Sequence, residues 1–560
     1  MRIKRHQSYL LIVICLGLLL SACQILSPIQ AANTNTIAPA PTTSRPTVTS
    51  MPSPTPTATA APLRLFLSNS LPAELLATIP APLGMVLTDN AEESDVVVEI
   101  GEKDQDYDFV SYQVFVLVAP FFTIADDIAL KDLRNFLSGG GDLENAPFKA
   151  ITSVESLIIR SLIDPKNPHR INFSRKQSEE DWLIVPFEQL QPGYKVISID
   201  GISPLDEDFN PSNYALSLPV IARTTRPELV LEPDVLTSLL PQSNYQPDQL
   251  TSLIMTGVTA MARSTGFMMS TEGALYPGTY IREVMREADL THISNEVSFY
   301  EDCPFPDPKY DGFIFCSDPE YLDLLIDLGT DIVELTGNHN NDVRAVYKVD
   351  TVPYTLNLYR QNDMQWYAGG TNLANAMAPL KIEHNGNKLA FVGCNSYGPV
   401  MAWATEDSSG SAPCQNWEWI KQTIAELKLE GYLPIVTLQY QEEYLQTATD
   451  VAIRDFRPLA EAGAVIVNGS QSHVSKPLEF YSDALIHYGL GNLFFDQVDF
   501  YITYDGFIQK HFFYQGRHIN TQLLTITLED TALPRFMTPE ERAEFLQIIF
   551  SASEELRSTP

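Results

Sequence analysis

Seven short runs of apolar, often β-branched residues recur between Thr251 and Tyr488: TSLIMT, DLTHIS, TDIVEL, KLAFVG, LPIVTL, GAVIVN and DALIHY. Each passes at once into a polar or glycine-containing loop, and stretches such as PGTYIREVMREA, PEYLDLLIDLG and NWEWIKQTIAELKLEG lie between several of them with helical spacing. Short buried strands alternating with helices specify an α/β architecture with a largely parallel sheet. In such sheets ligands bind beyond the carboxyl ends of the strands. Six loops are therefore expected on one rim: Gly257–Arg263, Asn295–Phe299, Thr336–Asp342, Gln439–Tyr444, Gly469–Val474 and Gly489–Gln497. A single site is the expectation from patterning alone.

Upstream, residues 63–245 carry a second α/β pattern. RLFL, DVVVEIG, YQVFVLVAPF, YKVISIDG and YALSLPVIAR read as strands, and LKDLRNFLSGGGD reads as an amphipathic helix stopped by Gly139, Gly140 and Gly141. Downstream, residues 516–560 read as a closing strand, INTQLLTITLED, and a final helix. Thr538, Pro539 and Glu541 form the start signal of that helix as cap, first-turn proline and capping-box acid. The working domains are thus expected over 63–245 and 250–515, with 516–560 closing the second.

The first residues follow a different logic. Arg2, Lys4 and Arg5 precede an apolar run, YLLIVICLGLLL, that is too short to span a bilayer and ends in Leu20-Ser21-Ala22-Cys23. Residues 1–23 read as a signal peptide whose end resembles a bacterial lipobox, with Cys23 as the lipid-bearing residue; cleavage after Ala22 without lipid is the plainer alternative. Residues 24–62 are rich in Pro, Thr, Ser and Ala and lack Asp and Glu. They cannot bury enough apolar surface to offset their ordering entropy, so they read as a disordered stalk. The expected location is extracytoplasmic, lipid-anchored to the outer face of the bacterial cell membrane.

That location bears on the cysteines. Of six, Cys15 and Cys23 belong to the leader, leaving Cys303, Cys316, Cys394 and Cys414. Three pairings are open in an oxidising compartment, and the two local ones, Cys303 with Cys316 and Cys394 with Cys414, are the simplest. Their spacing matches no zinc motif. A formal net charge of −34 excludes nucleic acid as a partner, although a locally basic pocket stays compatible with it.

Three motifs on the rim carry a resemblance: Ser294-Asn295-Glu296, then Gly337-Asn338-His339 with Asp342, then Gly491-Asn492 with Phe495-Asp496. Together they resemble the CapA family of poly-γ-glutamate capsule proteins, a branch of the calcineurin-like metallophosphoesterase superfamily. The resemblance covers about Leu253 to Phe513 and implies an α/β/β/α sandwich. Residues 63–245 are similar in element order to the substrate-binding proteins of ABC transporters, the phosphate type in particular, which implies a periplasmic-binding-protein-like α/β domain. A binding-protein fold reused as a spacer is the alternative there.

In the superfamily, carboxylates, an Asn and several His hold two divalent metals that polarise a phosphoryl oxygen and generate hydroxide. This chain departs from that set. Gly257-Val258 stands where Gly-Asp is expected, Gln439 where a His is expected, and Gly469-Ser470-Gln471-Ser472-His473 retains one of two His. The resemblance still implies His339 and Asp342 as acid–base residues, Glu296, Asn338, Glu443 and His473 as metal ligands, and Asn295, Gln439, Gln471, Asn492 and Asp496 as pocket residues. One hard divalent cation, or none, is what the surviving donors imply. Each has a plainer reading: loop asparagines fasten turns, and rim acids are often only solvated. The implied role is assembly, export or retention of an extracellular polymer, with that polymer or capsule-synthesis membrane proteins as partners. A working phosphoesterase or other hydrolase, and a solute-binding lipoprotein, are the alternatives.

Overall fold

The computed structural model describes residues 61–557 except 72, 78, 80–83, 103–104, 106, 138–181, 310–311, 313–314 and 498–500. The leader, Cys23, the stalk up to residue 60 and Gly139–Gly141 lie outside the described residues. Residues Pro62–Pro560 form one compact unit. No helix among the described residues is long and apolar enough to cross a membrane.

The chain begins with a mixed sheet of seven strands: β1 (Leu63–Leu67), β2 (Met85–Leu87), β3 (Val96–Ile100), β4 (Val110–Pro120), β5 (Leu183–Pro186), β6 (Tyr194–Val196) and β7 (Ser217–Thr224). Their spatial order is β2-β1-β3-β7-β4-β5, with β6 also on β4. β1 runs parallel to β2 and β3, and the rest pair antiparallel. Helix α1 (Leu130–Leu137) buries Leu133 and Leu137 against the apolar stretch of β4.

Two larger sheets follow. The first contains β8 (Leu250–Thr256), β9 (Val258–Thr259), β10 (Leu290–Asn295), β11 (Ile332–Glu334) and β12 (Gln365–Tyr367). The second contains β13 (Leu380–His384), β14 (Asn387–Asn395), β15 (Leu433–Gln439), β16 (Ile466–Ser470), β17 (Leu478–Tyr481) and β18 (Ala484–His487). β19 (Asn492–Phe494), β20 (Asp505–Tyr514), β21 (Arg517–Glu529) and β22 (Leu533–Phe536) return to the first, giving the order β12-β11-β10-β8-β20-β21-β22 with β9 between β10 and β19. The second has the order β13-β14-β15-β16-β18-β17. All seven apolar runs are strands, and β8, β10, β11 and β12 are mutually parallel, as are β14, β15, β16 and β18.

Strand alternation decides what each face covers. Leu253, Met255, Leu290 and Ile332 of the first sheet meet Leu389, Phe391, Ile435 and Ile466 of the second, so one core lies between the sheets. The opposite side chains, Ile254, Ile293 and Val333, lie under α2 (Arg263–Glu272), α3 (Leu322–Asp327) and α5 (Val352–Gln361) through Met269, Leu324, Leu325, Leu356 and Tyr359. Between α3 and α5, the short α4 (Asp342–Tyr347) carries site residues. On the second sheet, Val392, Val436 and Val467 are covered by α6 (Glu418–Leu429) and α7 (Asp450–Ala462) through Ile420, Ile424, Phe456 and Leu459. The protein is therefore mixed α/β, built on several mixed sheets.

The N-terminal sheet and the later strands share side chains. Phe512, Tyr514 and Ile519 belong to the same buried cluster as Val114, Leu117 and Phe187. Tyr514 Oη donates to Asn244 O at 2.9 Å, Asn520 Nδ2 donates to Tyr194 O at 2.7 Å, and Arg542 grips both oxygens of Asp126 at 2.8 Å. The last contact comes from α8 (Pro539–Arg557), whose start is the expected capping box: Thr538 N donates to Glu541 Oε2 at 2.9 Å, and Glu541 N donates to Thr538 Oγ1 at 3.3 Å.

Both local disulfides are formed, Cys303–Cys316 and Cys394–Cys414, with sequence separations of 13 and 20. Cys394 ends in the core of the second sheet, so its bridge ties the site loop after β14 to that core. Replacing Cys394 and Cys414 together with alanine is expected to lower the unfolding free energy by about 3 kcal/mol, the loop-closure value for this span. Chemical denaturation under non-reducing conditions checks it; an unchanged midpoint contradicts it.

Candidate functional site

Parallel strands place their carboxyl ends together, and the residues immediately beyond them form one buried polar group. Glu296 follows β10, Asn338, His339 and Asp342 follow β11, Gln439 closes β15, and Gln471 and His473 follow β16. Close backbone approach makes this possible. A Cβ on Gly337 would lie 2.2 Å from the Cα of Glu296, and one on Gly257 would lie 2.2 Å from the carbonyl oxygen of Gly491. Glycine is thus required for the motif loops to touch.

Gln439 is the hub. Its Nε2 donates to Glu296 Oε2 at 3.1 Å, to Asn338 Oδ1 at 2.9 Å and to Gln471 Oε1, while its Oε1 accepts from Ser470 Oγ at 2.9 Å. The four residues Glu296, Asn338, Gln439 and Gln471 are almost wholly buried. Glu296 Oε1 has no hydrogen-bond partner. Burial pushes the Glu296 carboxyl up to about 7; His339 pulls against this and Asp342 and Glu442 add to it.

His339 is oriented by Asp342, whose Oδ2 lies 2.7 Å from Nδ1 and also accepts from Phe315 N at 2.9 Å. Burial alone would lower the imidazole, but the Asp342 hydrogen bond and the charges of Glu296 and Asp342 outweigh it and raise its affinity for a proton. The dyad can therefore hold and move a proton at Nε2. His473 behaves differently: Nδ1 lies 2.9 Å from Asn492 Oδ1, its ring stacks on Phe495 at 4.5 Å, and burial lowers it to about 4. It is a neutral imidazole at neutral pH.

Asp496 accepts from Arg263 Nε at 3.0 Å, from Arg263 Nη2 at 2.7 Å and from Ser264 N at 2.7 Å. The guanidinium lies between Phe315 and Phe495, 5.1 and 5.3 Å from their centroids. Arg263 is a site residue that the motifs did not reveal, although its loop was on the expected rim. Its left-handed backbone, φ 46°, is the local signature of the tight entry into α2.

Two residues are not where the resemblance implies. Asn295 does not join the pocket: its Nδ2 donates to Val297 O at 3.0 Å and to Tyr359 Oη at 2.8 Å, towards the helix-covered side. Glu443 turns outward to Lys476, 3.7 Å away. Its neighbour Glu442 takes the inward place, accepting from Tyr397 Oη at 3.1 Å and from Tyr444 Oη. Hydrogen bonds from Tyr444, Tyr397 and Gln471 lower the Glu442 carboxyl despite burial.

The donor set does not fit a two-metal centre. Val258 packs in an apolar cluster with Ala260, Val297, Phe315 and Phe495 where the first carboxylate is expected. The Gln439 amide places N–H donors against Glu296 Oε2 and Asn338 Oδ1, where a cation would have to sit. Among the described residues no group of three His, Cys, Asp or Glu is placed to hold a metal ion.

Residues 252–497 match the family model described as "Bacterial capsule synthesis protein PGA_cap". Relatives include "PGA biosynthesis protein CapA" of Bacillus subtilis (strain 168), 24% identical over 43% of this chain and 62% of that protein. "Capsule biosynthesis protein CapA" of Bacillus anthracis is 23% identical over 41% of this chain and 60% of that protein. The chain thus spans about three fifths of the curated relatives it matches. A putative 5'-nucleotidase from Staphylococcus aureus is 12% identical, with TM-score 0.29 over 52% of this chain and 53% of that one. An ABC-type phosphate transport receptor from Vibrio cholerae is 9% identical, with TM-score 0.24 over 32% of this chain and 92% of that one.

Proposed function

Taking residues 252–497 as a segment of the PGA_cap capsule-synthesis family, distantly related to CapA, we propose an extracytoplasmic, membrane-anchored protein of capsule or other extracellular polymer assembly, export or retention. Its fold is proposed as a metallophosphoesterase-like α/β/β/α sandwich preceded by a binding-protein-like α/β region. The site binds a ligand and does not run two-metal hydrolysis. One observation carries this: the Gln439 amide bridges Glu296, Asn338 and Gln471, so the chain itself fills the point where family ligands converge. The basic start of the leader, its short apolar run and the lipobox-like Cys23 support the anchor.

The reading predicts that the full-length protein, purified without chelator, takes up less than one equivalent of manganese or zinc by mass spectrometric metal analysis. It also predicts that a deletion strain loses cell-bound polymer and regains it with either the wild-type chain or His339→Ala. Near two equivalents of metal, or failure of His339→Ala to restore polymer while folding normally, would move the assignment to the hydrolase reading. An unchanged polymer level in the deletion strain would remove the capsule role. The His339–Asp342 dyad is the observation that favours that second reading, since it is already oriented for proton transfer.

A further inference from the structure

Next to Arg263, outside the polar group around Gln439, a pocket of about 230 Å³ opens among the start of α2, the end of α4 and the loop closed by the Cys303–Cys316 bridge. Its lining includes Arg263, Phe305, Asp307, Phe315 and Tyr347. We propose that this pocket binds a pyranose ring of a neutral sugar chain, with the C–H face of the sugar on Phe305 and Tyr347 and its hydroxyls on Asp307 and Arg263.

Exposed aromatic rings are the first argument. Phe305 is 67% exposed and Tyr347 47% exposed, so neither is there to fill a core. Large apolar side chains left to water around a concavity mark a surface that binds something. Both rings are held by a second ring: Phe305 meets Phe267 of α2 edge-on at 6.0 Å, and Tyr347 stacks on Tyr300 at 6.0 Å. Phe315 beneath them is buried, 5.1 Å from the Arg263 guanidinium and 4.3 Å from the His339 ring. Cys303 and Cys316 are themselves part of the lining, so the bridge closes the loop at the pocket wall. Rings fixed in advance lower the ordering cost of binding.

Charge and hydrogen bonding select the ligand. Arg263 and Asp307 are the charged lining residues, and Arg263 is already neutralised by Asp496. The segment that carries Phe305 and Asp307 adds Glu301 and Asp302 against Lys309 alone. No net positive charge is left to hold a carboxylate or a phosphate, so an anion is disfavoured. A wholly apolar ligand fits no better, because it would cover polar groups that need partners. Asp496 takes Arg263 Nε and Nη2, and Nη1 has no acceptor among the described residues. Asp307 is exposed and accepts from Lys309 N at 2.9 Å through Oδ1. A pyranose meets both demands, with a C–H face for the rings and hydroxyls that donate to a carboxylate and accept from a guanidinium. The volume suits one ring of a chain, being below the roughly 300 Å³ at which pockets for drug-sized ligands begin. Taking that sugar as a unit of the exported polymer rests on the polymer reading above; the binding site does not.

The test uses the full-length protein and cellotetraose, whose equatorial hydroxyls leave both ring faces apolar, followed by calorimetric titration and saturation-transfer NMR. Saturable binding is expected, with the strongest transfer to the axial C–H protons. Phe305→Ala with Tyr347→Ala should weaken it about ten-fold or more, the value of two aromatic contacts. Should that double variant melt early, Phe305→Ala alone replaces it, with a loss of roughly five-fold. Tyr280→Ala removes a 53% exposed ring outside the pocket and should leave binding unaltered. No saturable binding, equal weakening by Tyr280→Ala, or displacement by oligoglutamate at equal affinity would each overturn the proposal. Binding is read on the purified protein and the polymer reading on the deletion strain, so the two fail separately.

Discussion

Replacing Asp496 with alanine lowers the unfolding free energy by about 3–5 kcal/mol, the cost of stranding a partly buried cation. The carboxylate holds both Arg263 Nε and Nη2 and caps Ser264 N, so its removal leaves Nε and Ser264 N without an acceptor and Nη2 with only the backbone carbonyl of residue 496, at 3.3 Å. Arg263 cannot simply turn to water, because Phe315 and Phe495 confine the guanidinium and its side chain is only 22% exposed. The companion Arg263→Ala, Asp496→Ala double variant should be less destabilised than the sum of the single changes, since the stranded charge is gone. Urea denaturation of the four proteins measures this coupling. Additive losses would mean that the pair contributes nothing beyond its separate contacts.

Acid weakens the protein in two stages. Four histidines lie in the polar strip of the strands: His292 and His487, which burial lowers to about 3, His518 to about 4, and His511 well below its ordinary value. Each stays neutral when folded and protonates near 6.5 when unfolded, so the unfolded chain binds more protons as pH falls. Stability is therefore lost below 6.5, by roughly 1.4 kcal/mol per unit for each group. Glu296 and Glu334 act in the opposite sense. Burial raises both to about 7, so between 7 and the unfolded value near 4.5 the folded chain holds more protons and gains stability on acidification. From pH 7 to 5 these four histidines cost about 8 kcal/mol, His473, lowered to about 4 in the same way, costs about 2 more, and the two acids return about 4, so these groups together lose about 6 kcal/mol. Below 4.5 the offset ends and the decline steepens. Denaturation midpoints taken between pH 7 and 4 check this, and a flat profile would show that these histidines are protonated in the folded protein.

The same histidines explain part of what sequence could not show. DLTHIS and DALIHY read as buried strands, yet nothing in them says that His292 will meet Tyr367 Oη at 2.9 Å or that His487 will face Gln509 Nε2 at 2.8 Å. Those partners come from strands distant in the chain, and only sheet order brings them together.

What the sequence by itself determined is what local pattern can encode. Apolar runs of strand length, ended by polar loops, marked all seven strands, because strand formation and burial act over a few residues. The capping box at Thr538 and Glu541, the loops that converge on the site and the two short disulfide spans are likewise local. Tertiary structure alone chose between Glu442 and Glu443, adjacent acids in a loop without periodicity, where Lys476 draws one outward and Tyr397 and Tyr444 hold the other inward. It turned Asn295 towards Tyr359, brought Arg263 into the site through Asp496 and joined the N-terminal sheet to the later strands through Tyr514 and Asn520. It also decided that the Gln439 amide stands among the oxygens of Glu296, Asn338 and Gln471. The physical reason is common to these cases: each depends on contacts between residues tens to hundreds of positions apart, whose geometry is fixed only when the sheets have packed.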